Sequence, residues 1–132
     1  MTDLPINDVT TFGDATHDGS VLTTLNLLDE APTPDSTRPR PAVKRVLSAD
    51  GANLILFSFT PGQDLPDHKA AHPITVQVLL GAVTFSCGEQ EETLTPGHIV
   101  HLPAYVPHAV SCRDEPALML LTMLTPNTST NV

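Results

Sequence analysis

The chain has 132 residues and a mass of 14.1 kDa, the size of one domain, and such a chain buries roughly two-thirds of the surface its unfolded form exposes. Hydrophobic residues at 40% and charged residues at 16% exclude a wholly disordered chain, and 6 Lys+Arg against 15 Asp+Glu, a net charge of −9, argue against nucleic acid or an anionic membrane surface as a partner. No apolar run approaches the roughly 18 to 20 residues of a membrane helix, and the opening residues lack the basic and apolar regions of a secretory signal, so a cytoplasmic protein is expected.

In chain order, the first 41 residues read as an N-terminal arm and connector. Within the arm, Ser20 to Leu28 has apolar spacing that fits a short helix capped by Ser20 or a strand. The arm from Val9 to Leu28 is apolar enough to pack on a partner, and a homodimer is expected. The chain has 13 prolines, and those between Asp29 and Pro41 make that stretch an extended connector. From Ala42 to Thr125 short apolar runs alternate with Gly, Pro and Asp punctuation. The runs are Val43 to Leu47, Leu54 to Phe59, Thr75 to Leu80, Val83 to Cys87, His98 to Leu102, His108 to Cys112 and Ala117 to Leu124. Strands at this spacing predict an all-β sandwich or barrel over residues 42–125. Helix propensity favours a helix for the last run, but its neighbours make a strand the consistent reading. The acidic stretch Glu89 to Glu92 follows Gly88 and is expected to form a solvated hairpin turn. Residues 126–132 are polar and expected to fray.

Cys87 and Cys112 form no CxxC and no disulfide framework, so both read as reduced thiols. Nucleophile elbows, phosphate-binding loops and HExxH helices are missing from the sequence. Of the 6 histidines, His17 lies in the polar arm, and the others fall in two windows. The first runs from Gly62 through His68 and His72 to Gly81. The second runs from Gly97 through His98, His101 and Pro103 to His108 and Cys112.

These windows resemble the two motifs of the cupin superfamily, G-x5-H-x-H-x3/4-E-x6-G and G-x5-P-x-G-x2-H-x3-N. Gly62, His68 and Gly81 fall in register with the first, and Gly97, Pro103 and His108 with the second. The spelling Leu-Pro-Ala-x-Val-Pro-His-Ala-Val is similar to that of the small single-domain, RmlC-like cupins. The resemblance implies a small jelly-roll barrel, a double-stranded β-helix, that brings the motif histidines together inside. It also implies a divalent transition metal (Zn, Ni, Fe, Cu or Mn) and a small-molecule ligand. The activities it implies range from dioxygenase and isomerase to metal-free binder or sensor.

The departures are specific. The family's second histidine is replaced by Ala70, its glutamate by Ile74, its middle glycine by Tyr105 and its asparagine by Cys112. Only His68 and His108 therefore map onto ligand positions. Catalytic metal sites normally offer three protein ligands, so His72 and His101 are the candidates for the third. His72 shares strand parity with His68, although Pro73 lets the segment loop out. Cys112 shares parity with His108 and faces inward, where a buried thiol is commoner than a ligand. Gln77 and His98 are expected outside. Phe57, Phe59, Val76, Val78, Phe85, Met119 and Met123 are the expected core or lining, an apolar barrel suited to a small organic ligand. Two functions follow: a metal-dependent enzyme, or a metal-free binding protein in which His68 and His108 hydrogen-bond the ligand.

Overall fold

A computed structural model describes residues 3–126, so residues 127–132 of the expected frayed tail lie outside the described residues. The elements in order are β1 (Ile6–Asn7), a 3-10 turn (Val9–Phe12), β2 (His17–Asp18), β3 (Ala42–Ala49), β4 (Ala52–Phe59), β5 (Asp64–Ala70), β6 (Ile74–Leu80), β7 (Val83–Cys87), β8 (Gln90–Leu94), β9 (Ile99–Leu102), β10 (His108–Ser111) and β11 (Ala117–Met123). They form a five-stranded sheet, β1-β5-β10-β7-β8, and a six-stranded sheet, β2-β3-β4-β11-β6-β9. This is the expected all-β jelly roll.

The period-2 pattern sets the layers. Along β6, Ile74, Val76 and Val78 are buried between the sheets, while Thr75, Gln77 and Leu79 are less so. They meet Phe57, Phe59, Phe85, Val110, Met119 and Met123 in the inner core. β4 and β11 are apolar on both faces, because the six-stranded sheet carries a second cluster on its outer side. There Val46, Leu56, Leu118 and Leu120 are covered by Leu25, Leu27 and Ala31. β11 sits between β4 and β6 and pairs with both, so its tertiary surroundings override the helix propensity of its leucines and methionines.

Several expectations change. Ser20 to Leu28 is neither helix nor strand but extended chain and turn, and its Leu25 and Leu27 pack against the chain's own outer sheet face. The arm also adds β1 to β5 and β2 to β3, both parallel, so it packs on its own barrel. Asp64–Ala70 is a strand despite Pro66: β1 pairs only with Lys69 and Ala70, leaving no partner on that side to need an N–H from Pro66. The acidic stretch is solvated as expected, but only Glu89 belongs to the turn. Gly88, at φ 60, turns the chain, and Gln90–Leu94 runs back as the edge strand β8, where charges guard against edge-to-edge pairing. Among the described residues no helix is long and apolar enough to cross a membrane.

Gly81 shows what a motif glycine is for. At φ +74 its ideal Cβ would sit 2.0 Å from the Pro116 carbonyl oxygen, so the turn leaving β6 passes against backbone that no side chain would clear.

Candidate functional site

His68 on β5 and His108 at the start of β10 are cross-strand partners, which puts both side chains on the inner face of the five-stranded sheet. Their ring centroids lie 4.2 Å apart with an interplanar angle of 62°. Phe85 of β7 stacks on His108 at 5.4 Å and 13°. His108 is only 3% exposed, while His68 is half-buried.

Each imidazole is fixed by the carbonyl two residues before it. His68 Nδ1 lies 2.8 Å from Pro66 O, and His108 Nδ1 lies 2.9 Å from Val106 O. A carbonyl only accepts, so Nδ1 carries the hydrogen and Nε2 of the neutral ring keeps its lone pair. Burial holds His108 below the usual histidine pKa, and the His68 charge adds to this, while the Val106 carbonyl and Asp67 work against it. His108 is thus an acceptor at Nε2 at neutral pH.

Both rings line a cavity of about 40 Å³. Its walls are Phe57, Leu65, Val76, Met119 and Leu121, with Phe85 at one side and Asn7 and Phe12 from the arm. Lys69 N donates to Pro5 O at 2.9 Å and Ala71 N to Asn7 O at 2.8 Å, holding β1 beside β5. Asp8 then caps the 3-10 turn by accepting from Thr10 N at 2.8 Å. Those bonds to Thr10, its hydroxyl first, hold the Asp8 carboxyl below the usual range. Phe12 meets Phe57 edge-on at 5.6 Å. Nothing in the sequence signals this closure, since short parallel strands have no pattern of their own.

The loop from β9 to β10 keeps the family backbone without its glycine. Tyr105 has φ 66, and its N–H donates to Ala70 O at 2.7 Å, tying the loop to β5. The side chain is 55% exposed, so its bulk meets no wall.

The other histidines lie elsewhere. His72 sits in the turn after β5 and lines a separate groove with Val9, Asp18, Arg45 and Asn53. His101 lies opposite Thr75 on β9, is exposed, and borders a different cleft. His98 is exposed and accepts at Nδ1 from Thr95 N at 3.2 Å. His17 pairs with Glu30 at 3.1 Å. Cys112 is buried and hydrogen-bonds to Glu115 O at 3.0 Å. Burial, then Glu115 and Asp114, push its thiol pKa up, against a ligand or nucleophile role.

Among the described residues no group of three His, Cys, Asp or Glu side chains is placed to hold a metal ion. Ala70 and Ile74, both buried and apolar, stand where the family's other donors would be. The donor set does not fit a metal centre with three protein ligands.

The cleft beside His101 holds residues that the sequence pattern assigns to a solvated turn. In the β7–β8 hairpin Glu92 is opposite Phe85 and Gln90 opposite Cys87, so the exposed Gln90 and Glu92 side chains stand on the same face of the hairpin as Phe85 and the buried Leu94. With Cys87, His101, Val100 and Leu102 they border a cleft of about 160 Å³ behind Phe85. Strand alternation is the signal that reveals them, once β8 is read as a strand.

The cupin-domain family model matches residues 55–123, more than half of the chain, and the protein belongs to that family. No curated protein matches it. An RmlC-like cupin from Desulfovibrio desulfuricans is similar in structure, with 26% identity, a TM-score of 0.68, and coverage of 80% of this chain and 99% of that one. The protein TT1209 from Thermus thermophilus is 27% identical, with a TM-score of 0.65 over 77% of this chain and 98% of that one. The DMSP lyase DddQ from Ruegeria pomeroyi shares the fold at 23% identity and a TM-score of 0.60, over 70% of this chain and 51% of that one.

Proposed function

We propose that this cupin is a binding protein for a small, mostly apolar molecule bearing a terminal hydroxyl or N–H, with His68 and His108 as the acceptors. The observation that carries this is the pair of carbonyl-anchored imidazoles lining an apolar cavity. Each Nδ1–H is already used, so each ring offers an acceptor at Nε2. A donor from a ligand answers that need, and the apolar wall suits its carbon chain.

The metal-dependent reading, with a dioxygenase or isomerase activity, rests on the family rather than on this donor set. One observation favours a metal: anchoring Nδ1 to a carbonyl is also how ligating histidines are oriented. With two imidazoles and no third side chain, we place it second and derive no chemical step from it.

The test uses 15N-labelled protein and 1-pentanol as probe. The Nε2 resonances of His68 and His108 are expected to shift on titration, and His108→Phe, which keeps a ring in the core, is expected to abolish the response at His68. An unchanged pair at saturating alcohol overturns the reading. Stoichiometric Zn(II) uptake that disappears in His108→Ala would move the metal reading to first place.

A further inference from the structure

The histidine cavity has too little room for the molecule it would recognise. About 40 Å³ admits roughly three waters, or the polar end of a ligand, but not its body. Behind Phe85 lies the larger cleft of about 160 Å³. Phe85 borders both spaces and lies nearly parallel to His108.

The two spaces differ in chemistry. The inner one has apolar walls and a buried neutral imidazole, where an ammonium group would lose its hydration without a countercharge. The outer one opens to water and presents the Glu92 carboxylate. Gln90 Nε2 donates to Glu92 Oε1 at 3.2 Å. Among the described residues no cationic side chain pairs with Glu92. Its neighbour Glu91 faces outward and pairs with Arg113 at 3.3 Å. The edge strand therefore carries one carboxylate paired with Arg113 and one exposed on the cleft side, and Val100 and Leu102 supply an apolar wall suited to a methylene chain.

We infer that the two spaces form one ligand site divided by Phe85, and that it takes a short unbranched amino alcohol. The hydroxyl donates to the histidine pair, the methylenes run past Phe85, and the ammonium rests against Glu92 and Gln90. This deepens the reading above and rests on it: the inner pair supplies the anchor, and Glu92 selects for charge at the far end.

The experiment compares 5-amino-1-pentanol with 1-pentanol on the full chain, following the Nε2 resonances of His68 and His108. The amino alcohol is expected to bind about two- to fivefold more tightly, the reach of an exposed ion pair. Glu92→Gln is expected to bring the two probes level. Glu91→Gln removes the same charge from the outer face and is expected to leave the difference intact. Both substitutions fall on exposed side chains and spare the core. Equal affinities in the wild-type protein, or equal effects of the two substitutions, overturn the inference while the response to 1-pentanol still supports the histidine anchor. No response to 1-pentanol overturns the anchor itself.

Discussion

Around the histidine pair, the interior is closed by chain that lies outside the matched cupin region, which begins at residue 55. Asn7 and Phe12 cover the cavity, and β1 extends the sheet beside it. Around the cleft behind Phe85, the two sheets end in the edge strands β8 and β9, and among the described residues no added segment lines the gap. The same sandwich thus has a covered compartment and an open one. Where the arm covers the core, burial keeps an imidazole neutral. Where the edges are bare, the exposed polar residues Gln90, Glu92 and His101 border the gap.

The contrast breaks most directly at Phe12. Phe12→Ala removes the ring that meets Phe57 and opens the covered compartment. It is expected to cost about 2–4 kcal/mol, somewhat below a fully buried Phe→Ala, measured by urea unfolding. Amide exchange at Lys69 and Ala71 should rise with it, since both N–H groups bond to the arm. A change below about 0.5 kcal/mol, the size of an ordinary surface effect, would show that the arm does not seal the cavity.

A smaller effect comes from pH. His108 has a lowered pKa in the folded protein, so the unfolded chain takes up its proton first as pH falls. The stability that neutral His108 contributes is fully present above the unfolded value, about 6.5, and is lost as pH falls through the lowered folded value. The loss should reach at most about 1.4 kcal/mol per pH unit within that window, and His108→Phe should remove this component of the pH dependence. A profile unchanged by the substitution would place His108 in a wetter setting than its 3% exposure implies.

The smallest effect belongs to the open side. His101→Ala is expected to change stability by no more than about 0.5 kcal/mol and to leave the Nε2 resonances of His68 and His108 where they are. A shift at either ring would connect His101 to the pair and blur the division.

Central strands are the legible part of the fold. β4, β6 and β11 are long and largely apolar, and the shorter β7 buries Val83 and Phe85, so their composition announces them. β5 and β8 are hidden for opposite reasons. Pro66 and Asp67 disguise a strand that has little to satisfy on one side, and glutamates disguise an edge that has no second neighbour. β1 and β2, two residues each, exist only through their partners. In the site, His68 and His108 stand in motif register, and their cross-strand pairing follows from the fold. His72 shares their parity, but the turn ahead of Pro73 carries it to another groove. Gln90 and Glu92 escape a reading of the sequence because their place on the Phe85 face depends on the alternation of a strand that acidic residues mask.

Tyr105 gives the molecule an optical address. The chain has one tyrosine and no tryptophan, so near-ultraviolet emission comes almost wholly from a single phenol. That phenol stands on the loop entering β10, and its backbone N–H is bonded to Ala70 at the end of β5. These are the strands that carry the two histidines. The protein therefore holds a natural reporter at the joint between its two recognition strands, exposed enough for a quencher to reach and tethered closely enough to register their separation.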